Sequence, residues 1–381
     1  MRSIYLATAL LLTASPAALA AGTGTGTGTL GDALSKFPQS VLTSTEPMQA
    51  YFVDMTLVQK LGGEAVEEQG FARTRVDFAM IEALKPLMMG GVETWKQNSG
   101  IDLAQVRYFA GMGVPPQMVS VWGLDSEATA TSLLSSLSEG EFEPAGADGV
   151  IGNGEPMKVN IQAREIGNPW RDEMGRATFV SQSGDALVQS STPDAVAGFL
   201  ESDETVRDHP VVAALLGSLD AVSDTGGVVQ AILISPTFGL QNADPSSITL
   251  SGSVDMDELR SQMAAALEQA GRGVPPYFGG IIADLQKDQP ELAMALAYPD
   301  CSMAETAAQI VEQRWTDTMA ESGPATVKTS TFEGAGGLCA AAITVAAESD
   351  PTHATNPHAK AVFAKIMRRQ FDVLQIGTAQ E

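Results

Sequence analysis

Residues 176–202 read "RATFVSQSGDALVQSSTPDAVAGFLES", and this stretch decides the fold class. Its first part, residues 176–191, predicts two strands joined by a tight Ser-Gly-Asp turn. Thr192 then supplies a helix N-cap and Pro193 occupies the first helical position, so residues 192–202 predict a helix. A hairpin that leads into a capped helix indicates an α+β unit with antiparallel strands.

The chain before this stretch contains further elements of both kinds. Residues 127–137 predict a helix that Asp125 or Ser126 caps. Residues 157–165 alternate apolar and polar side chains, which is typical of a half-buried strand. The other predicted elements are strands at residues 48–55, 71–78 and 117–124, and a helix at residues 79–89.

The chain after it repeats this order. Strands are predicted at residues 228–235, 247–254, 291–298, 325–333 and 338–347, and helices at residues 255–271, 277–286, 302–315 and 357–371. When the two series are aligned by element order, Phe52 corresponds to Ile232, 180 positions later in the sequence. We therefore expect an α+β protein of two tandem, similar halves, residues 31–205 and 206–381, each a mainly antiparallel sheet packed with helices.

A short motif also recurs, as "GMGVPP" at residues 111–116 and "GRGVPP" at residues 271–276. Glycine permits a positive φ and Pro-Pro prevents a helix from continuing, so the motif is a stop signal for regular structure. The two copies lie outside the register that relates the halves. We interpret them as independent turns, and a duplicated ligand-binding loop is the alternative.

The N-terminus has the pattern of a secretory signal peptide. Arg2 precedes an apolar run, and Ala18 and Ala20 bracket Leu19 at the expected cleavage site, so residues 1–20 are predicted to be removed. Residues 21–30, rich in Gly-Thr repeats, are predicted to be a flexible spacer. No later segment has the length of apolar sequence that a membrane span needs. We expect an exported, soluble protein that is periplasmic or, alternatively, secreted.

The charge of the chain excludes one class of partner. It carries 22 basic and 46 acidic residues, a net charge of −24 at pH 7. Such a polyanion repels nucleic acid and anionic lipid headgroups.

Two cysteines, Cys301 and Cys339, are present in the chain. In an oxidising compartment they are expected to form a disulfide, and two buried free thiols are the alternative.

The stretch from residue 177 to residue 219 resembles a family of exported bacterial proteins that is known only as a domain of unknown function. The resemblance rests on a hairpin and on a second helix from His209 to Leu219, and it extends loosely to "GIDLAQVRYF" at residues 100–109. The hairpin residues that carry it are Asp185, Leu187, Val188, Ser190 and Ser191. It implies export and a repeated α+β layout, and it supplies no catalytic residues.

No motif in the chain predicts a catalytic, cofactor or metal site. His353 and His358 are interpreted as solvated loop residues, and the acids of residues 255–258 as the first turn of a helix. The methionines at positions 88, 89, 112 and 118 are interpreted as core residues rather than thioether ligands of copper. A nucleophile elbow is lacking. A Ser/His/Asp triad built from distant positions stays open.

The last predicted helix is unusual in this acidic chain because it concentrates basic residues. Lys360, Lys365, Arg368 and Arg369 accompany an apolar face at helical spacing. We interpret it as a docked helix whose basic side faces solvent or the acidic body. The alternative is a contact surface for an anionic partner, such as an envelope polymer or an acidic protein.

Turn, cap and core roles account for nearly every residue singled out above. The sequence therefore favours a non-catalytic binding or interaction module of the bacterial cell envelope. The alternative is an envelope hydrolase whose site forms in the cleft between the two halves, where a deep pocket with pKa-shifted polar groups would be expected.

Overall fold

The structure is a computed structural model of the chain, and it describes residues 26–43, 49–62, 75–76, 81–114, 117–202, 204–224, 226–240, 273–347 and 355–378. The strands are β1 Gln49–Asp54, β2 Val106–Val114, β3 Gln117–Leu124, β4 Glu143–Pro144, β5 Ile151–Gly152, β6 Phe179–Ser183, β7 Ala186–Ser190, β8 Gly227–Ile234, β9 Gly280–Gln286, β10 Pro290–Tyr298, β11 Ala325–Glu333 and β12 Cys339–Ala347. The helices are α1 Gly28–Leu34, α2 Ser40–Thr43, α3 Met55–Gly62, α4 Lys85–Ser99, α5 Glu127–Glu139, α6 Pro193–Leu200, α7 Pro210–Ser223, α8 Cys301–Thr318 and α9 Pro357–Met367.

These strands form one antiparallel sheet, in the order β11-β12-β10-β9-β8-β1-β2-β3-β7-β6-β5-β4. The predicted α+β class is confirmed. At its centre β1 pairs with β8, where Phe52 lies opposite Ala231 and Tyr51 opposite Ile232. The sheet runs unbroken through this pair, so the regions predicted as halves share a sheet instead of having one each.

The two sides of the β1–β8 pair share an order of strands, although α3 and α4 lie between β1 and β2 and two short strands, β4 and β5, lie between α5 and the first hairpin. Three strands follow one another (β1-β2-β3 or β8-β9-β10), then a helix (α5 or α8), then a hairpin whose second strand returns beside the third strand of the run. Among the described strands, the first side alone adds β4 and β5 beyond its hairpin. That the two sides arose by duplication, with the boundary near residue 205, stays a prediction.

Helices cover both faces of the sheet. The apolar side chains of α3, α4, α5, α8 and α9 pack on one face, and those of α1, α2, α6 and α7 on the other. Because neither face of the central strands meets water, these strands are continuous apolar runs, as in β10, where residues 292–298 are all buried. Each aliphatic side chain buried in this way stabilises the fold by about 1.5–3 kcal/mol.

The N-caps predicted from the sequence are present. The Oγ of Ser126 accepts a hydrogen bond from the N–H of Thr129 over 3.2 Å at the start of α5. The Oγ1 of Thr192 accepts one from the N–H of Ala195 over 3.3 Å at the start of α6. These bonds satisfy N–H groups that the first turn of a helix leaves unpaired.

The helix predicted at residues 277–286 is wrong, because residues 280–286 form strand β9. Residues 280–285 are all buried between the two helix layers. A short apolar run buried on every side has no periodicity that distinguishes a strand from a helix.

The strand predicted at residues 157–165 is also wrong. This segment is a loop with a single 3₁₀ turn at Ile161–Ala163, and the side chains of Val159 and Ile161 are 52% and 58% exposed. No described strand pairs with it, and its loop conformation is held instead by a hydrogen bond from the N–H of Asn160 to the carbonyl of Met174.

The predicted spacer is shorter than expected. Thr27 is buried, and its N–H and Oγ1 both donate to Oδ1 of Asp220, over 3.1 and 2.7 Å. Helix α1 begins at Gly28, so residues 26–30 belong to the folded body. The helix predicted at residues 79–89 begins later, at Lys85, and continues to Ser99.

Several predicted features lie outside the described residues. They are the signal peptide, residues 21–25 of the spacer, most of the strand at 71–78, the strand at 247–254, the helix at 255–271 with its first-turn acids, and His353.

The predicted disulfide between Cys301 and Cys339 is confirmed. The two Cα atoms are 5.0 Å apart, and the bond joins the first residue of α8 to the first residue of β12. In the part of the chain that the structure describes, none of the helices combines the length and the hydropathy needed to cross a membrane.

The two edges of the sheet differ. Strand β4 has only two residues and contains Pro144, which cannot donate a ladder hydrogen bond. Strand β11 has nine residues and is largely exposed, with Lys328 in its middle.

Candidate functional site

A cavity of about 190 Å³ lies on the α4 side of the sheet. Its floor is formed by β3 and β7, one wall by the start of α4, and its roof by the loop of residues 164–178 that precedes β6. The apolar lining consists of Pro86, Met89, Met118, Ile166, Pro169 and Ala177. The cavity belongs entirely to the first predicted half.

Helix α4 and the roof loop of residues 164–178 contact each other at two glycines, so no side chain separates their backbones. A Cβ built on Gly90 would lie 2.5 Å from the Cα of Gly167, and one built on Gly167 would lie 2.7 Å from Cγ2 of Thr94. Gly167 also has a φ of 83°, which favours glycine. This Gly90–Gly167 contact holds the loop against the helix between Met89 and Ile166, two of the lining residues.

The floor is polar, and most of its groups are already bonded within the chain. Gln189 accepts from Nε1 of Trp122 and donates through Nε2 to the carbonyl of Pro169, both over 2.7 Å, so it ties the roof loop to the sheet. Ser190 donates to the carbonyl of Met118 over 2.9 Å. The Oγ of Ser191 is buried and has no hydrogen-bond partner among the described residues.

A stack of tryptophans supports the floor from beside it. The rings of Trp95 and Trp122 have centroids 5.6 Å apart, and those of Trp122 and Trp170 lie 4.9 Å apart and nearly parallel. Phe142 meets Trp170 edge-on. Each such aromatic pair stabilises the fold by about 0.5–1.5 kcal/mol beyond the contribution of the area it buries. The stack therefore holds the floor of the cavity in place.

The lining of the cavity is electrically neutral in a chain that carries two acids for every base. It contains four cations and four anions: Lys85, Arg164, Arg171 and Arg176 with Glu82, Glu165, Asp172 and Glu173. Three of the cations have partners. Lys85 pairs with Glu82 over 2.7 Å, Arg171 with Glu141 over 3.3 Å, and Arg176 with Asp172. Arg164 forms no ion pair with any residue that the structure describes.

The histidines and acids whose pKa values are shifted lie elsewhere. Burial lowers the pKa of His358 and of His209 below the ordinary value of 6.5. Burial raises the pKa of Asp54, although the N–H of Leu57 donates to its carboxylate over 2.8 Å and acts in the opposite direction. None of these three residues lines the cavity.

One serine–histidine contact is present, and its geometry is that of a structural bond. Ser322 donates to the carbonyl of Met319 over 2.7 Å, so its Oγ accepts from Nδ1 of His358 over 3.0 Å. His358 is fully buried against Trp315, and no described acid contacts it. The interpretation of His358 as a solvated loop residue is wrong, because helix α9 begins at Pro357 and carries His358 into the core.

The four basic residues of the last helix do not act as one surface. The Nζ of Lys365 lies 3.3 Å from a carboxylate oxygen of Asp372 and 3.7 Å from one of Glu321, so its charge is balanced within the chain. Lys360, Arg368 and Arg369 are exposed.

Metal ligands are not clustered in the described part of the chain, where no three His, Cys, Asp or Glu side chains converge. Of the methionines interpreted as core residues, Met112 and Met118 are buried and Met88 packs against the core. Met89 is 51% exposed and lies at the cavity. For Met89 the core interpretation is wrong, because it sits on the face of α4 that meets the roof loop rather than the sheet.

Sequence reasoning missed the cavity because its lining comes from four separate segments, residues 82–89, 118–120, 164–178 and 189–191. The pair Gly90-Gly91, directly after the helix predicted at residues 79–89, was the available signal, since glycine permits a close approach to the backbone.

Comparison of the chain with family models, with curated proteins and with solved structures returned no match. The resemblance noted for residues 177–219 therefore stays a prediction.

Proposed function

We propose that the protein is an exported, non-catalytic binding module of the bacterial cell envelope, and that the cavity between α4, β3 and β7 is its ligand site. The observation that carries the proposal is a preformed cavity with a polar floor, apolar walls and a roof fixed by the Gly90–Gly167 contact. Preformed cavities of this kind, with few polar groups among apolar walls, are typical of small-ligand sites.

The chemistry of the lining supports binding over catalysis. It contains no histidine and no cysteine, and the Ser190 hydroxyl donates to a backbone carbonyl instead of to a base. A serine nucleophile needs an adjacent base to become reactive.

The alternative, a hydrolase with a site between the two halves, lacks a comparable observation. At the boundary between the halves the β1–β8 pair joins them edge to edge, and the cavity lies within the first half.

Export is supported by the signal-peptide pattern of residues 1–20 and by the Cys301–Cys339 bond, since disulfides persist in oxidising compartments. The same observations fit a periplasmic location and, as the alternative, secretion.

Native mass spectrometry of protein purified from the producing cell's envelope fraction tests the cavity. We expect a bound small molecule on the wild type that is lost on denaturation. The cavity-filling variant Ser191→Phe should lack it, whereas Ser135→Phe, on the exposed face of α5, should retain it. A bare wild-type protein whose melting temperature no member of a small-fragment library raises would overturn the proposal.

We also propose that the exposed cations of α9 contact an anionic envelope polymer or an acidic protein. Their exposure in a chain of net charge −24 supports this. Replacing Lys360 and Arg368 with glutamine should lower recovery of a bound partner, whereas Lys328→Gln on β11 should not. Equal recovery from both variants would contradict the contact.

A further inference from the structure

We propose that the cavity binds a short aliphatic peptide, of about dipeptide size, in its zwitterionic form. This inference rests on the proposed function and names the ligand class of the same site. Four properties of the cavity support it: its size, its unpaired charges, the kind of apolar wall, and the unsatisfied hydroxyl on its floor.

The size limits the ligand. At about 190 Å³ the cavity is smaller than the roughly 300–1,000 Å³ of sites for drug-sized molecules. The cavity therefore suits a smaller ligand, of the size of an amino acid or a dipeptide.

The charged groups that have no side-chain partner are one of each sign. Arg164 and Glu173 both line the cavity and are exposed at its mouth, and neither has an ion pair or side-chain hydrogen bond with a described residue. Of the other lining carboxylates, Glu82 and Asp172 form ion pairs with Lys85 and Arg176, and Glu165 accepts a hydrogen bond from the neutral amide of Asn168 and keeps its charge. Arg164 suits a carboxylate, for which guanidinium provides paired donors, and Glu173 suits an ammonium group.

The neutral lining removes an obstacle to this ligand. Elsewhere the acidic excess of the chain repels a carboxylate, whereas here four cations offset four anions. A zwitterion has no net charge and is therefore neither attracted nor repelled by the body as a whole.

The walls favour an aliphatic side chain over a ring. Met89, Met118 and Ile166 present thioether and alkyl groups, and methionine adapts its shape to irregular alkyl chains. Trp170 is only 5% exposed and is stacked on Trp122, so it offers no free face on which a sugar could stack.

The hydroxyl of Ser191 requires a partner that the described residues do not provide. Its Oγ is buried and unbonded at the floor of the cavity, and a buried polar group without a partner is unfavourable. A peptide N–H or C=O supplies that partner, which a hydrocarbon ligand does not.

Isothermal titration with L-alanyl-L-leucine, its N-acetyl form and its C-terminal amide tests the proposal. We expect the free dipeptide to bind, and each capped form to bind about tenfold more weakly, the loss of one charge-assisted hydrogen bond. Arg164→Gln should weaken the dipeptide without affecting the amide, and Glu173→Gln should weaken it without affecting the N-acetyl form.

Lys158→Gln is the matched control, because Lys158 lies just before the roof loop in the sequence, pairs with Glu155 and does not line this cavity. It should leave all affinities unchanged. Equal affinity for free and capped forms overturns the zwitterionic recognition. Lack of binding by any dipeptide, while a fragment or a copurified molecule still occupies the cavity, overturns the peptide class and leaves the proposed function standing.

Discussion

The Nδ2 of Asn356 donates to Oδ1 of Asp284 over 2.7 Å, and this bond fixes the N-terminus of α9 to the middle of the sheet. The carbonyl oxygen of the same side-chain amide caps α9, since Oδ1 of Asn356 accepts a hydrogen bond from the N–H of Ala359. Asp284 also accepts from Gln230 and pairs with Arg75, and it is fully buried. One carboxylate thus joins β8, β9, α9 and the segment around residue 75.

We expect Asp284→Ala to be severely destabilising. It would leave the Arg75 guanidinium buried without a counter-charge, which costs about 3–5 kcal/mol of unfolding free energy. The double variant Arg75→Met/Asp284→Leu should recover much of that loss, because it removes both charges. Urea unfolding of Arg75→Met, Asp284→Leu and the double variant measures the coupling. A cost below about 1 kcal/mol for Asp284→Ala contradicts the assignment.

Gly90→Ala should displace the roof loop from α4 and weaken binding at the cavity. Its Cβ would meet the backbone of Gly167 at 2.5 Å, although alanine is otherwise favoured in a helix. Gly198→Ala and Gly217→Ala, on α6 and α7, are the matched controls, because a Cβ at either position meets nothing within 4 Å. Each should stabilise the protein by about 0.5–1 kcal/mol. Thermal melts and ligand titration separate the two effects, and unchanged affinity in Gly90→Ala would argue against the contact's role.

The sequence predicted the sheet better than the site. Strand β3 and the β6–β7 hairpin occur where a short apolar run and turn chemistry place them, because both signals are local. Strand β9 was missed because it is buried on both faces. It therefore lacks the alternation of apolar and polar residues by which strands are identified. The cavity was missed for another reason. Ser120 and Gln189, which both line it, lie opposite each other only through the pairing of β3 with β7, and no local sequence pattern reports such a pairing.

Stability should fall as the pH falls below about 6.5. The folded pKa values of His358 and His209 are lowered by burial, so the unfolded chain binds more protons in this window. Their contribution is fully present above the unfolded pKa and is lost as the pH falls through the folded values. Urea midpoints between pH 7.5 and pH 5 measure the slope.

His209 also caps α7 through Nδ1, which accepts from the N–H of Val211 over 3.3 Å only while it is unprotonated. His209→Asn keeps a capping side chain and removes the titration, so its stability should depend less steeply on pH than that of the wild type. A slope identical to that of the wild type would show that His209 does not contribute.

Replacing both Cys301 and Cys339 with alanine should lower the unfolding free energy by about 3–4 kcal/mol, since the bond closes a loop of 38 positions in the unfolded chain. Urea unfolding of the wild type with and without a reductant should reproduce the difference. Because Cys339 is buried, the reductant should act only once the protein unfolds. Curves that coincide would indicate free thiols.

The unequal edges of the sheet limit how copies of this chain could join. Two-residue β4, with Pro144, gives an incoming strand almost nothing to pair with, whereas nine-residue β11 offers a full row of backbone groups. A sheet with two open edges can extend without end into a fibre. Among the described strands β11 is the one long open edge, so pairing of two copies through β11 would occupy it in both copies and assembly would stop at two.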